Sequence, residues 1–289
     1  METINKDNVK EMQVFTKEIE TTLDKETKIR EIVDTMLGEF IKSFEKKHTK
    51  QVSKPKGIIN MKKNNCFVSP LGDEFMFYSG FVRSFDSSLG KVLEGIANRI
   101  ACLTYEVRDE INSYLLPQQS QFIDFLMNGY DNHDKTPQIS DYNAFEAVQQ
   151  RNIESYKMIG KADNYFYYPE EKTHYLAQLK TGGDLDNKKA RAEKISLLQQ
   201  YFLLKNKLGD SDETVKVIFG TAYNKHGEGE AWKQGRVKQF FAHEELLIGK
   251  EYWNFCCGCE DGYEIIIKQY QANVPKFIEA FERIKKLYF

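Results

Sequence analysis

Lys161–Lys194 reads KADNYFYYPEEKTHYLAQLKTGGDLDNKKARAEK, and the fold turns on this stretch. Asp163 heads an aromatic run, Tyr165-Phe166-Tyr167-Tyr168. Pro169-Glu170-Glu171-Lys172 follows, then an apolar-rich run from His174 to Lys180, which Gly182-Gly183 ends. Aromatic side chains favour a pleated surface, and proline with charges marks a reversal, so two strands joined by a short turn are predicted. In such a hairpin Asp163 and the Gln178/Lys180 pair lie at the same open end. Side chains alternate along a strand, so Gln178 and Lys180 share a face. A carboxylate, an amide oxygen and a lysine thus converge. That set suits a hard divalent cation, which takes oxygen ligands, with a lysine beside it. Read alone, the three residues also admit a plainer account, a strand edge with a solvated lysine and an aspartate capping a turn.

Working outward, Asp184–Asn187 caps a predicted helix over about 188–207. Its start carries Lys188, Lys189 and Arg191. Positive charge at a helix N-terminus does not help the helix, and an anion such as a DNA phosphate would offset it. Val215–Tyr223 reads as a central strand. Asn224–Arg236 is a polar, glycine-rich loop whose Lys225, Lys233, Gln234 and Arg236 suit contacts to base edges, although such loops are also often inert. Val237–Ala242 reads as a further strand. Upstream, Leu89, Val92, Leu93, Ile96, Ala97 and Ile100 recur at helical spacing after Ser87 or Ser88 as a cap. Glu94 sits among them. A glutamate near a buried face wants a partner, which Arg83, Arg99 or solvent could also supply.

Together these stretches resemble a known family. Asp163 with Gln178-x-Lys180 is similar to the PD-(D/E)XK nuclease signature, with Gln178 where an acid is usual. Lys180-Thr181-Gly182-Gly183-Asp184-Leu185-Asp186-Asn187 resembles type II restriction endonucleases. Arg83-Ser84-Phe85 through Glu94 to Ala97, and Gly249-Lys250-Glu251-Tyr252-Trp253-Asn254-Phe255, resemble the TdeIII-like group of them. The resemblance covers roughly residues 81–258. It implies a magnesium-dependent enzyme that hydrolyses double-stranded DNA to 5′-phosphates at a specific site, with GGNCC the sequence associated with that group. It also implies Asp163, Gln178 and Glu94 as metal ligands, Lys180 as the catalytic lysine, and a homodimer to match a palindromic site. Two other readings stay open. One is a DNA-binding protein with a degenerate nuclease site, which Gln178 motivates. The other is a repair or junction nuclease of the same fold.

Composition sets the remaining bounds. The chain has 289 residues and a net charge of −2, which does not announce a nucleic-acid binder; local fields decide that, and lysines cluster over 42–63 and 188–194. No apolar run is long enough to span a membrane, and the N-terminus lacks a signal core, so a cytoplasmic protein is expected. Five cysteines, three of them in the CCGC run at 256–259, read as reduced thiols; adjacent Cys256 and Cys257 are poor chelate geometry for zinc. Ile29, Ile32, Val33, Met36, Leu37, Phe40 and Ile41 predict an amphipathic helix, either covering a core or forming a dimerisation arm. A basic loop with a strand near Ile58-Ile59 follows it. Helices are predicted over 117–129, 144–159 and, as one or two, 262–289. The sum is an α/β fold: a restriction-endonuclease-like core with a small mixed sheet flanked by helices, and helical N- and C-terminal regions. One nuclease domain over 1–289 is expected, with an arm and basic loop over 1–65, a catalytic core over 81–258 and a tail over 262–289.

Overall fold

The computed structural model describes residues 6–52, 57–143, 145 and 156–289, with side chains from Leu23 onward except that of Ala162. The described helices are α1 (Lys6–Gln51), α2 (Asp73–Ala101), α3 (Pro117–Asp131), α4 (Ser140–Asn143), α5 (Asn187–Leu208), α6 (Gly235–Lys238), α7 (Lys250–Cys257) and α8 (Gly262–Lys285). The strands are β1 (Glu106–Tyr114), β2 (Lys157–Tyr168), β3 (Thr173–Lys180), β4 (Thr214–Thr221) and β5 (Leu246–Ile248). The chain forms two compact units, Met1–Ile96 with Glu264–Phe289, and Ala97–Tyr263.

The first unit is helical. The predicted apolar stripe of α1 is the buried one: Ile29, Val33, Leu37, Phe40, Ile41 and Phe44. Phe40 and Phe44 interleave with Phe81 and Phe85 of α2 and Phe277 and Phe281 of α8. Their ring centroids lie 5.1–6.2 Å apart, the range in which tilted and edge-on aromatic pairs attract. α1 therefore covers a core. Two expectations fail here. Ser87 and Ser88 lie inside α2, which starts at Asp73 after the turn that Gly72 closes. Ile58 and Ile59 are buried in a turn leading to a 3-10 segment, Asn60–Lys62, and not in a strand. The lysine-rich loop around them lies partly outside the described residues.

The second unit is a five-stranded sheet in the order β1-β2-β3-β4-β5. β1, β2 and β3 run antiparallel in turn, whereas β3, β4 and β5 are parallel. The predicted hairpin is β2–β3, closed by Pro169–Glu171 and by Lys172 in the left-handed region. A parallel β3–β4 pair needs a crossover, and α5 provides it. Asp186 caps α5 by accepting a hydrogen bond from the Lys189 backbone N–H, 2.8 Å. Ala190, Leu197, Leu198, Tyr201 and Leu204 of α5 are buried in one core with Tyr165, Leu176, Val217 and Phe219 of the sheet. Each fully buried Leu, Val or Phe among them contributes about 1.5–3 kcal/mol. Tyr105, Phe166, Tyr175 and Phe255 cluster on the opposite face.

Three local expectations are corrected in this unit. β1 has no counterpart in the sequence reading, because its mostly exposed EVRDEINSY pattern is that of an edge strand. The predicted helix over 144–159 falls largely outside the described residues, and Lys157–Ile159 open β2 instead. Val237–Ala242 is no strand; α6 and a turn occupy it, with Val237, Phe240 and Phe241 buried.

Candidate active site

The site forms where β2 is irregular. β1 pairs Arg108 with Tyr165 and Glu110 with Lys161, so one residue of β1 faces three of β2, and Asp163 is the middle one. A bulge of this kind bends a strand and re-aims a side chain. The backbone freed by the bulge is held from the side. Asn98 at the end of α2 donates to the Asp163 carbonyl, 3.0 Å, and accepts from Asn164 Nδ2, 2.7 Å. The Tyr252 hydroxyl donates to Asn164 Oδ1, 3.3 Å. Asn164 is fully buried, so this network fixes the peptide that carries the exposed Asp163.

The register Asn164↔Ala177 sets Asp163 across from Gln178. Gln178 Nε2 donates to Asp163 Oδ2 at 2.6 Å. Gln178 is only 7% exposed. Among the described residues no hydrogen bond reaches Gln178 Oε1 or the other Asp163 oxygen. Two residues on, Lys180 projects from the same face and its Nζ lies 2.8 Å from Glu193 Oε1 on α5. The hairpin thus brings Asp163, Gln178 and Lys180 together as the sequence predicts, and adds Glu193. Two hard oxygens, one of them charged, fit a cation such as Mg²⁺, which keeps several waters and is held by one or two carboxylates plus substrate phosphates. Among the described residues no three His, Cys, Asp or Glu side chains form a metal-binding group.

The model of the family described as type II restriction endonuclease, HinfI, matches residues 25–273. The chain belongs to the HinfI family of type II restriction endonucleases. It is a site-specific deoxyribonuclease, and its partner is DNA. This match supports the type II restriction endonuclease expected from the sequence. No curated protein matches the chain.

In this HinfI-family chain the residues predicted to touch DNA divide into two sets. Lys188, Lys189, Lys233 and Arg236 are exposed. The others have internal partners. Lys225 Nζ lies 3.1 Å from Asp184 Oδ1, and the buried Gln234 donates to the same oxygen at 3.2 Å. Lys225 beside it holds the Asp184 carboxyl below the usual range. Arg191 donates to Asp131 of α3 at 2.7 Å. Lys194, at the end of the basic cluster, does not face solvent at all. It is fully buried, ion-paired to Glu245 and set over the rings of Tyr142 and Phe241 at 4.9 and 5.0 Å. The glycine pair after Lys180 is tightly packed: a Cβ on Gly182 would lie 2.7 Å from the Tyr223 hydroxyl. One on Gly183, whose φ is +66°, would lie 2.7 Å from Thr221. Glu94 lies half-buried on α2, within the helical unit.

Sequence reading missed Glu193 and Asn98. Glu193 carries a signal, because it falls three residues after Ala190 and four before Leu197, on the apolar stripe of α5. Asn98 carries none that a single sequence shows. His133 and Asp134 are turn residues; His133 has φ 61° and Asp134 N–H donates to the Gly129 carbonyl.

Proposed function

We propose that the HinfI-family chain cuts double-stranded DNA by Mg²⁺-assisted hydrolysis at a PD-(D/E)XK-type site made of Asp163, Gln178 and Lys180. The observation that carries this is the Gln178–Asp163 hydrogen bond of 2.6 Å on the face from which Lys180 projects. A bound divalent cation supplies charge neutralisation at the scissile phosphate and a water acidified for attack. Asp163 and the Gln178 carbonyl oxygen hold that cation, and by resemblance Glu94 adds a further acid. Lys180, as a cation positioned by its partner on α5, orients the attacking water and stabilises charge that builds on the phosphorane oxygens. The water oxygen bonds to phosphorus as the bond to the 3′ oxygen breaks, which leaves a 5′-phosphate and a 3′-hydroxyl. Lys188, Lys189, Lys233 and Arg236 contact DNA. The enzyme works in the cytoplasm as a homodimer, because a palindromic site asks for matching two-fold symmetry. GGNCC is the expected site by the TdeIII-like resemblance.

The test is a digest of a sequenced plasmid with and without Mg²⁺, with fragment ends mapped. Discrete Mg²⁺-dependent bands with 5′-phosphate ends support the proposal, and the mapped ends give the recognition sequence. Gln178 in place of an acid favours one second reading, a DNA-binding protein with a degenerate site. Retarded DNA without cutting would support it. Cleavage of branched DNA with no bands from plain duplex would point to a structure-specific nuclease.

A further inference from the structure

The two strands of the site bring only one carboxylate, Asp163, because position 178 holds an amide. The second carboxylate at this end of the sheet comes from the helix. Glu193 is only 22% exposed, its Oε1 is 2.8 Å from Lys180 Nζ, and α5 points it at the sheet face that carries Asp163, Gln178 and Lys180. A carboxylate largely shielded from water needs a partner. Lys180 is its partner. Among the described residues, the basic neighbours on α5 have other partners: Lys189 reaches back to Asp186, Arg191 goes to Asp131, and Lys194 goes to Glu245.

Resting on the nuclease reading above, we propose that Glu193 is the second acid of the cation site and carries the charge that Gln178 lacks. The negative charge usual on the strand has its place on the crossover helix. Gln178 then serves as a neutral ligand and as the donor that orients Asp163, a role no carboxylate could fill. A doubly charged cation facing Asp163 and Glu193 is neutralised by the pair, as a hard cation requires. Glu193 Oε1 keeps Lys180 in place, and its other carboxylate oxygen faces the cation.

Cation binding measured without DNA tests this. Mn²⁺ is titrated calorimetrically into the wild-type chain and into Glu193→Gln, Glu94→Gln, Asp163→Asn and the double variant Glu193→Gln/Gln178→Glu. Circular dichroism confirms that each is folded. The expected result is a loss of about 10- to 100-fold in affinity for Glu193→Gln, the scale typical of disturbed metal sites. Returning the charge to the strand in the double variant restores affinity to within about threefold, which a merely structural role of Glu193 would not produce. Wild-type affinity in Glu193→Gln overturns the proposal, whether or not cleavage falls. So does a loss that the double variant fails to recover. If Glu193→Gln does not fold, the same comparison is made with Glu193→Asp, for which unchanged affinity again overturns it. Asp163→Asn keeps the outcomes apart: if it too binds as wild type, the nuclease-site reading fails, and not the assignment of Glu193 alone.

Discussion

In the proposed mechanism, Lys180 and Gln178 make two kinds of contribution to catalysis. Lys180 is a cation held in place by Glu193 at 2.8 Å, so its value lies in charge that appears only as the phosphate reacts. Lys180→Ala should lose cleavage by about 10²-fold or more, the scale of a removed transition-state donor. DNA affinity, read by gel retardation in Ca²⁺, should hardly change. Retention of more than about a tenth of wild-type cleavage would count against the role. Gln178 acts in the ground state. Its amide donates to Asp163 at 2.6 Å, and replacing it by glutamate sets two carboxylates where a donor and an acceptor now meet. Gln178→Glu should melt lower without metal, because repulsion rises and one carboxyl is pushed up. It should remain active and reach half-maximal cleavage at less Mg²⁺. Gln178→Ala removes an oxygen ligand and the orienting donor, and should lose most activity. A Gln178→Ala enzyme with an unshifted Mg²⁺ midpoint would show that Gln178 is no ligand.

At the scale of elements, what local pattern determines was legible and what the tertiary fold determines was not. The β2–β3 hairpin, the Asp186 cap of α5 and the buried stripe of α1 all follow from spacing and turn chemistry within one segment. The bulge at Asp163 arises from pairing with β1, a strand whose exposed residues gave no period to read. The partners that define the site, Glu193 and Asn98, come from helices on either side of the hairpin in the chain. Lys194 shows the limit most sharply. A lysine in a basic run predicts a solvated face, yet it is buried against Glu245 on the far side of β4 in the chain. Glu245 also accepts from the Tyr142 hydroxyl at 2.6 Å and from the Ala242 N–H at 2.7 Å. Burial pulls the Lys194 ammonium below the ordinary lysine range, and Glu245 opposes that pull. Removing one partner leaves a buried charge uncompensated. Lys194→Met should therefore cost about 3–5 kcal/mol in urea unfolding, whereas replacing both residues by apolar ones of similar volume should cost less. A single variant as stable as wild type would mean that the pair carries no structural weight.

At the scale of the molecule, a net charge of −2 has to be reconciled with a polyanionic partner. The reconciliation lies in which basic residues are already spent. Arg191 and Lys225 are paired to Asp131 and Asp184, and Lys194 is buried. Among the described residues, Lys188, Lys233 and Arg236 are exposed with no ion pair, and Lys189 has a loose contact of 3.9 Å to Asp186. Each phosphate neutralised by a side chain releases counterions and adds about 0.9 to the slope of log affinity against log salt. The double variant Lys188→Ala/Lys189→Ala should then lower that slope by about 2, and weaken binding equally on specific and unrelated duplexes. Arg191→Ala breaks a contact between α5 and α3, so it should lower the melting temperature while leaving the slope within about 0.5 of wild type. The two variants make opposite claims on the same pair of measurements, fluorescence anisotropy across a salt series and a thermal melt. An Arg191→Ala chain that melts normally but loses a full unit of slope would place Arg191 on the DNA. An unchanged slope in Lys188→Ala/Lys189→Ala would move the DNA surface away from the start of α5.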